Sequence, residues 1–332
     1  MTPGDGKVGI LGLGAYVPER VMTNADWGRL VDTTDEWIVA RTGIEKRHFA
    51  AEDESTADLA VAAARAALAD AGLDARDLDE IIVATDTPEV FSPDTAAFVQ
   101  HLLGARQVPS YDLAGSGCAG FVQALDVACS RVLAGRPDTV LVIGAEVITR
   151  LMDWTDRATC VLFGDAAGAA VLGRGAASGE IVAVETGTDG SRTGILGLPI
   201  GGTRHPFSLD VARRGLHKQI VMNGREVFKE AVTRMSEASR KVLAKAGREL
   251  AEVALVVPHQ ANLRIISAVA KALETPMDKV FVNVREYGNT GSASVPLALT
   301  QARDQGRVKD GDLVLLTSFG AGFHWAAALI QF

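Results

Sequence analysis

Leu68-Ala-Asp-Ala-Gly-Leu73, followed by Leu78-Asp-Glu-Ile-Ile-Val-Ala84, is typical of a helix that ends at a glycine and leads into a buried strand. The same order returns in Leu243-Ala-Lys-Ala-Gly-Arg248 and Leu250-Ala-Glu-Val-Ala-Leu-Val-Val257, about 173 positions later. An unbroken apolar run indicates a strand that is covered on both faces. The chain is therefore predicted to hold two copies of an α/β unit rather than one domain with an unrelated tail.

A second pair of segments supports this duplication. Asp138-Thr-Val-Leu-Val-Ile-Gly144 and Asp312-Leu-Val-Leu-Leu-Thr-Ser318 are apolar runs at almost the same offset, and each begins at an acidic residue. We expect an N-terminal half over residues 1–176 and a C-terminal half over residues 177–332. A duplicated α/β chain places its loops at matching strand ends, so functional residues of both halves are expected to face one cleft.

Composition and charge exclude several classes of protein. The 332 residues carry a net charge of −8, which argues against a nucleic-acid-binding protein because such proteins show a basic footprint. The three cysteines are odd in number and form no CxxC, so we expect neither a disulfide framework nor a zinc site, but a reduced, cytoplasmic protein. No apolar run approaches 18 residues and no secretory signal is evident, so neither export nor a membrane span is expected.

Cys118 is the first candidate for a reactive group. It lies among small residues, and Phe121–Leu133 after it has the apolar spacing of a helix. A thiol at a helix N-terminus is expected to have a lowered pKa because it feels the positive end of the helix dipole. The alternative is a buried, inert cysteine, which is the interpretation we favour for Cys129 and Cys160.

Two further side chains complete a possible acyl-transfer site. His259 follows a predicted buried strand and Pro258, and Asn289 stands in a glycine-rich turn. The turn Gly288–Gly291 is matched with Gly117–Gly120 in the predicted repeat, since each opens a helix. Taken alone, His259 can be explained as a histidine that is hydrogen-bonded at a strand end, and Asn289 as an ordinary turn residue. Together with the thiol they suit acyl-thioester chemistry, with a nucleophile, a proton handler and an oxyanion donor.

The residues around these positions resemble the β-ketoacyl-acyl-carrier-protein synthase III family of thiolase-like condensing enzymes. The matching motifs are long, keep a fixed order and extend over nearly the whole chain. They are Asp35–Ile44, Cys118–Phe121, Thr155–Arg157, Phe163–Asp165, His259–Ile266, Gly288–Thr290 and Ser294–Pro296. The resemblance implies a five-layered αβαβα sandwich of two pseudo-repeated α/β halves, usually in a homodimer.

The resemblance also implies a reaction. Cys118 would attack an acyl-CoA and form an acyl-enzyme, and malonyl carrier protein would then lose carbon dioxide. His259 and Asn289 would hydrogen-bond the thioester oxygen as enolate charge develops, and the carbanion would attack the acyl group to give a β-ketoacyl product. Backbone N–H groups of Cys118 and Ala321 would form the oxyanion hole. No metal or redox cofactor is expected, because CoA enters only as a thioester substrate.

Two binding surfaces are implied in the same way. Trp37 and Arg157 match the positions that enclose the adenine of CoA, and Arg41 and Thr42 lie beside them. An acidic carrier protein would need a basic landing surface on this acidic chain. The family's docking positions are Lys229 and Arg264, and further basic residues that could extend the surface are Arg225, Arg213, Arg214 and Lys218.

The sequence departs from the family pattern at three positions, and these departures limit how far the acyl substrate can be deduced from the resemblance. Ala321 replaces a glycine of a Phe-Gly-Gly-Gly stretch, and an alanine cannot enter glycine-only conformations. His324 replaces a threonine; we expect it to pack, while a proton handler and a contact to a polar acyl group stay open. In the segment that closes the partner's acyl pocket, Ser92 is expected at the gate with Phe91 beside it. A small gate would admit longer or branched acyl groups.

Other functions stay open at this stage. An enzyme of the same fold could pass the acyl group from cysteine to an alcohol or amine of a metabolite. Gly9-Ile-Leu-Gly12-Leu-Gly14 suggests a dinucleotide-binding oxidoreductase, although its third glycine is missing. A carrier-binding protein without catalysis is a further alternative. The primer, the pathway and the preferred carrier cannot be deduced from the sequence.

Overall fold

The computed structural model describes residues 6–176 and 179–332. The predicted boundary between the halves falls at residues 176 and 177, and residue 177 lies outside the described part, so this boundary stays a prediction. The strands are β1 Val8–Tyr16, β2 Arg20–Thr23, β3 Lys46–Phe49, β4 Glu80–Thr85, β5 Ser110–Ala114, β6 Thr139–Glu146, β7 Ala166–Arg174, β8 Glu180–Thr188, β9 Leu196–Gly197, β10 Val221–Met222, β11 Val253–Pro258, β12 Leu313–Gly320 and β13 His324–Gln331. The helices are α1 Asn24–Trp27, α2 Asp35–Thr42, α3 Thr56–Ala71, α4 Thr95–Leu103, α5 Gly120–Leu133, α6 Leu209–Arg213, α7 Gly224–Ala246, α8 Leu263–Ala272, α9 Val284–Tyr287 and α10 Ser294–Asp304.

The main sheet consists of two groups of strands with the same internal order. In the first group β5, β4 and β6 run parallel, and β7 and β1 follow antiparallel. In the second group β11 and β12 run parallel, and β13 and β8 follow antiparallel. The groups join where Gly9 of β1 pairs with Glu180 of β8. Each half therefore builds the same sheet around its own βαβ connection.

Helices fill the space on both faces of these strands. One apolar cluster combines α5 and α10 with inward residues of both strand groups, so these two helices form a shared central layer. A second cluster packs α7 and α8 on the outer face of β11–β13, and a third packs α3 and α4 on the outer face of the first group. The order of layers is helix, sheet, helix, sheet, helix. The expected five-layered αβαβα sandwich of two pseudo-repeated halves is confirmed.

The segments that predicted the repeat occupy equivalent places. Helices α3 and α7 end at Gly72 and Gly247, with φ values of 67° and 64°, in the left-handed region that favours glycine. Strands β4 and β11 follow them. The predicted helix Phe121–Leu133 is α5, which begins one residue earlier.

One detail of the predicted repeat is wrong. The turn Gly117–Ala119 that precedes α5 corresponds to the turn Gly291–Ala293 that precedes α10, and both are single 3₁₀ turns. Their leading glycines have φ values of 54° and 57°. Cys118 therefore corresponds to Ser292, 174 positions later, and not to Asn289. The sequence match failed because the turn that corresponds to Gly117–Ala119 lies at Gly291–Ala293, at the end of the segment that was chosen, Gly288–Gly291. Both segments begin with glycine and contain small residues.

The glycines of the suggested dinucleotide-binding motif, Gly9, Gly12 and Gly14, have a packing role. All three belong to β1, which continues to Tyr16 without a phosphate-binding turn. A Cβ on Gly12 would lie 2.4 Å from the carbonyl oxygen of Ala67, and a Cβ on Gly14 would lie 2.2 Å from the nitrogen of Ala67. These glycines let α3 pack closely on the strand, so the dinucleotide-binding alternative is wrong. Among the described helices, none combines the length and the hydropathy needed to cross a bilayer.

Candidate active site

Cys118 lies where the two halves meet, on the 3₁₀ turn before α5, and is partly exposed. The turn approaches the end of β12 so closely that only glycine fits on either side. A Cβ on Gly117 would lie 2.5 Å from the nitrogen of Ala321, and a Cβ on Gly320 would lie 2.5 Å from the nitrogen of Cys118. Real Cβ atoms do not approach backbone atoms this closely, so both positions require glycine for close packing.

The same approach brings the two expected oxyanion donors together. The nitrogen atoms of Cys118 and Ala321 belong to the two segments that these glycines hold in contact. The alanine causes no backbone strain, because the left-handed φ of this hairpin, 131°, belongs to Gly322 and Ala321 does not have a positive φ. The departure from a glycine run therefore leaves the N–H of Ala321 in place as a donor.

Asn289 faces the thiol from the other half of the chain. Its backbone N–H donates to Leu162 O at 2.8 Å, and its carbonyl accepts from Gly164 N–H at 3.1 Å. The side-chain Oδ1 accepts from Gly291 N–H at 3.0 Å and lies 3.9 Å from Sγ of Cys118. With Oδ1 so engaged, Nδ2 has no partner among the described residues. This amide N–H group is available to donate to the oxygen of a bound substrate.

His259 is buried after β11 and has a fixed orientation. Its backbone N–H donates to Thr317 O, and its Nδ1 lies 2.5 Å from Oγ of Ser294, the first residue of α10. Oγ also accepts from Gln260 N–H at 3.4 Å, so the hydroxyl proton of Ser294 is free to donate to Nδ1. When the Ser294 hydroxyl group donates to Nδ1, the ring proton lies on Nε2.

Burial also fixes the charge of this imidazole. Desolvation lowers the pKa of His259 from 6.5 to about 3, so the ring is neutral at physiological pH. A neutral imidazole with Nε2–H can donate to a developing enolate oxygen and does not carry a buried positive charge. His259 is thus linked through Ser294 to the turn that carries Asn289.

The expectation that the pKa of Cys118 is lowered is wrong. Desolvation of the thiol raises the pKa of Cys118, and the neighbouring carboxyl groups of Asp86 and Glu146 raise it further. The backbone N–H of Cys118 and the side chain of Asn289 oppose this shift but do not overcome it. Helix position alone therefore did not predict the protonation state, because desolvation of the thiol outweighs the dipole.

The other two thiols lie away from this geometry. Cys160 is buried in the outer apolar cluster, and Cys129 packs against the central cluster from α5. Burial raises the pKa of Cys129 to about 11 and that of Cys160 to about 12. Both side chains have packing environments, in agreement with the interpretation as inert cysteines.

The predicted CoA-binding residues cluster at α2. The guanidinium groups of Arg41 and Arg157 lie 4.4 Å and 4.9 Å from the centre of the Trp37 ring, and Arg157 also donates to Asp32 O. The hydroxyl group of Thr42 is buried; it donates to Ile38 O and accepts from Ile44 N–H. Trp37 and the two arginines therefore form a stacking surface, while Thr42 stabilises the helix end.

Comparison with known proteins decides the family. Residues 243–332 match the family model "3-Oxoacyl-[acyl-carrier-protein (ACP)] synthase III C terminal", and residues 111–190 match "3-Oxoacyl-[acyl-carrier-protein (ACP)] synthase III". A curated β-ketoacyl-[acyl-carrier-protein] synthase III of Roseiflexus castenholzii is 48% identical over 322 residues, which cover 97% of each chain. The chain belongs to the β-ketoacyl-acyl-carrier-protein synthase III family.

Solved structures of synthase III proteins agree with this result. The protein is 45% identical to 3-oxoacyl-[acyl-carrier-protein] synthase III of Aquifex aeolicus, with a TM-score of 0.90 over 98% of this chain and all of that one. It is 38% identical to the priming β-ketosynthase of the R1128 polyketide pathway, with a TM-score of 0.89 over 98% and 96% of the two chains. The expected family and the thiolase-like fold are therefore confirmed.

The predicted docking residues of the protein lie on the outer helices of the C-terminal half. Lys229 and Arg225 are exposed one turn apart on α7, and Arg264 is exposed at the start of α8. Within the described chain, no carboxylate lies within 4.0 Å of these three side chains. Asn262 Nδ2, next to this site, donates to Arg41 O at 3.3 Å. The basic surface thus adjoins the stacking surface around Trp37.

The predicted gate and His324 have different environments. Phe91 is 86% exposed, and Ser92 beside it is also exposed. His324 Nδ1 lies 2.8 Å from Thr188 Oγ1 and 3.5 Å from Gln123 Nε2. Desolvation lowers the pKa of His324 and the negative charge of Asp86 opposes this shift. The assignment of Ser92, with Phe91 beside it, to the gate of the acyl pocket stays a prediction.

Sequence reasoning missed three polar residues that support the site. They are Ser294, which holds His259, and the carboxyl groups of Asp86 and Glu146 behind the nucleophile loop. Asp86 accepts from Gly115 N–H at 3.0 Å, and Glu146 is only 1% exposed. The available signal was an acidic residue at the end of each of two apolar strands, with Asp86 directly after β4 and Glu146 as the last residue of β6, where strand ends form sites in α/β folds.

Proposed function

We propose that this protein is an acyltransferase that performs the decarboxylative Claisen condensation of an acyl-CoA primer with malonyl carrier protein. This reaction would start fatty-acid or polyketide synthesis. One observation carries the proposal: the Cys118 thiol lies 3.9 Å from Asn289 Oδ1, although the two residues come from different halves of the chain. The names of the relatives support the same reaction, including that of a priming ketosynthase.

The first half-reaction places the acyl group on the enzyme. Sγ of Cys118 attacks the carbonyl carbon of the acyl-CoA, and the N–H groups of Cys118 and Ala321 stabilise the tetrahedral oxyanion. The thiol proton leaves with the sulfur of CoA as free CoA. Because the pKa of the thiol is raised, the proton would be lost when the substrate enters and not in the free enzyme.

The second half-reaction forms the carbon–carbon bond. The malonyl thioester oxygen accepts hydrogen bonds from His259 Nε2 and Asn289 Nδ2 while carbon dioxide leaves. The resulting carbanion attacks the acyl-Cys118 carbonyl, and the thiolate takes up a proton to restore the thiol. A neutral His259 suits this role, since its N–H bond stabilises the enolate without transferring the proton. All groups used in these steps belong to the chain, and no metal or redox cofactor is part of the proposal.

Binding of the partners would use the two adjoining surfaces. The adenine of CoA would be enclosed by Trp37 and Arg157, with Arg41 beside them. The acidic carrier protein docks on Lys229, Arg225 and Arg264, so that its phosphopantetheine arm enters beside α2. A homodimer is part of the proposal because Phe91 and Ser92 would close the acyl pocket of the partner.

Intact-protein mass spectrometry tests the reaction. Incubation with a panel of acyl-CoAs is expected to add one acyl mass to the wild type and none to Cys118→Ala. A chase with malonyl carrier protein should remove this mass, with release of carbon dioxide and a β-ketoacyl product. Acyl-enzyme that resists the malonyl chase but is discharged by a small alcohol or amine would favour acyl transfer to a metabolite. Absence of acylation with every donor would contradict the proposal.

A further inference from the structure

Glu146 is a buried carboxyl group that the reaction does not use. It is the last residue of β6, is 1% exposed, and has no arginine or lysine within 4.0 Å among the described residues. Glu80, on the neighbouring strand β4, is also 1% exposed but pairs with Arg131 and accepts from the hydroxyl group of Tyr111. Two equally buried glutamates therefore have opposite surroundings, and only Glu80 has a positive partner.

The hydrogen bonds around Glu146 determine its proton content. Oγ of Ser292 lies 2.8 Å from Glu146 Oε1 and also 2.8 Å from Ala84 O. Each of these short contacts between oxygen atoms needs a proton, but a serine hydroxyl supplies one and a backbone carbonyl supplies none. Ser292 therefore donates to Ala84 O, and the carboxyl group of Glu146 donates to Ser292. With the serine proton directed to Ala84 O, the contact with Glu146 is a hydrogen bond only when the carboxyl group is protonated.

The rest of its surroundings agrees with a protonated state. Oε2 accepts from Thr87 Oγ1 at 2.8 Å, and the N–H of Asp86 lies 3.2 Å from both carboxyl oxygens. The titratable groups that face Glu146 are Asp86 and the Cys118 thiol, while His324 faces Asp86 from β13. Burial, and then the charge of Asp86, raises the pKa of Glu146 to about 8.

In the repeat, the residue that corresponds to Glu146 is Gly320. Glu146 and Gly320 are 174 positions apart, as are Cys118 and Ser292. On the catalytic side Gly320 has no side chain, which leaves the N–H of Cys118 open to substrate. At the corresponding turn Gly291–Ala293, the side chain of Glu146 occupies the space next to the N–H of Ser292, and this N–H points to Glu146 Oε1 at 3.4 Å. Glu146 thus fills the second version of the nucleophile pocket.

Resting on the proposed function, we infer that Glu146 acts as a neutral acid that closes this second pocket and positions the turn of Asn289 for condensation. It joins the end of β6 to Ser292, three residues after Asn289, and a Cβ on Gly291 would lie 2.8 Å from its Cγ. Ionisation of Glu146 would remove the donor to Ser292 and place a negative charge beside the carboxyl group of Asp86, whose pKa is also raised by burial. Glu146 is therefore a positioning residue, and its proton sets an upper pH limit for the enolate step.

Glutamine is the decisive substitution because its amide group donates a hydrogen bond at every pH. Glu146→Gln is expected to keep condensation within about threefold of the wild type below pH 7, and to lose the fall in rate that the wild type shows above pH 8. Glu146→Ala leaves Ser292 without its donor and should reduce condensation about a hundredfold through a displaced Asn289, while acylation of Cys118 persists. Glu80→Gln, the matched control, should lower the unfolding temperature but keep the alkaline fall.

Thermal unfolding tests the same inference without activity. A carboxyl group with a folded-state pKa of about 8 and an ordinary value of 4.5 binds more protons in the folded protein, so stability falls as pH rises through this interval. The unfolding temperature of Glu146→Gln should therefore rise relative to the wild type from pH 5 to pH 8. An unchanged difference, or a glutamine variant as damaged as the alanine variant, would overturn the inference. If no donor acylates the wild type, the proposed function fails, while the unfolding comparison still decides the state of Glu146.

Discussion

The same backbone turn occurs twice, at Gly117–Ala119 and at Gly291–Ala293, but its central side chain is partly exposed in the first turn and buried in the second. Each is a 3₁₀ turn with a left-handed glycine, leads into a central helix, and packs on the last residues of a strand of the other half. The first presents the partly exposed thiol of Cys118, and the second buries the hydroxyl group of Ser292, which is 1% exposed. The backbone alone therefore does not make a nucleophile site.

The difference comes from the strand end that each turn meets. Gly320 leaves space above the N–H of Cys118, whereas Glu146 fills this space and contacts the N–H and Oγ of Ser292. The N–H of Val147 corresponds to that of Ala321, the proposed oxyanion donor, and is occupied by Thr87 Oγ1 at 2.9 Å. One half thus keeps open donors for a substrate, and the other satisfies the same donors internally and becomes rigid.

The largest expected effect concerns moving the thiol from one turn to the other. In Cys118→Ala with Ser292→Cys, the thiol lies in the equivalent turn but stays buried behind Glu146. We expect complete loss of acylation by acyl-CoA, as in Cys118→Ala alone, when the intact mass is measured. Iodoacetamide labelling of the unfolded chain serves as the control that the new thiol is present. Acylation of this variant in the folded state would break the comparison, because burial would then not separate the turns.

The next effect concerns the space above Cys118. Gly320→Ala places a Cβ 2.5 Å from the Cys118 nitrogen and 2.8 Å from Ser116 O, and neither backbone atom can move away easily. Loss of an oxyanion donor should lower the acylation rate about 10²–10³-fold in rapid-quench measurements.

Ala321→Gly is the matched control for this substitution. Ala321 does not have a positive φ, so the glycine adds only chain entropy in the unfolded state, which costs about 0.5–1 kcal/mol of stability. Its acylation rate should stay close to that of the wild type. If Gly320→Ala folds and acylates normally, the open space above the thiol is not what distinguishes the catalytic turn.

A smaller effect is expected at the first residue of each central helix. Ser294 opens α10 and holds His259 Nδ1, while its counterpart Gly120 opens α5 without a side chain. Ser294→Ala should lower condensation about tenfold by mixing the two imidazole tautomers, with acylation unchanged. Ser239→Ala is the control, since Ser239 is buried and bonds only Met235 O of its own helix.

The pH dependence follows from the burial of the same imidazole. The pKa of His259 is lowered to about 3, so the wild-type condensation rate should show no histidine-dependent fall as the pH drops through 6.5. Stability shows the opposite pattern: unfolded histidine binds a proton below pH 6.5, so the free energy of unfolding decreases from pH 6.5 towards pH 3. A fall of condensation centred near pH 6.5 that is absent from the acylation step, which does not use His259, would contradict a neutral, Ser294-bonded imidazole.

The sequence predicted those parts of the molecule that depend on local pattern. The apolar runs β4, β6, β11 and β12 and the glycine-ended helices α3 and α7 were found because periodicity and caps are encoded within a few residues. Cys118, His259 and Asn289 were identified because motifs keep their order along the chain. Resemblance to the family, and not local pattern, supplied the layer order and the roles of these side chains.

What the sequence did not predict depends on contacts between distant segments. The raised pKa of the Cys118 thiol comes from burial and from Asp86 and Glu146, which lie 32 and 28 positions away. The neutral state of Glu146 depends on a serine 146 positions away. The repeat was found at the level of strands, but its register at the turns required the φ values and packing of Gly117 and Gly291.

The smallest expected effect concerns the outer helices, where the halves differ in charge. Helix α7 exposes Lys229, while its counterpart α3 exposes Arg65 as its single basic residue, and α8 also exposes Arg264. Arg264→Glu or Lys229→Glu should raise the apparent KM for malonyl carrier protein about threefold at low salt, less at high salt, with acyl-CoA kinetics unchanged. Arg65→Glu, the same charge change on the other half, should leave both constants unchanged. If all three variants raise the KM for carrier protein equally, its attraction reflects net charge alone, and the docking surface is not confined to the C-terminal half.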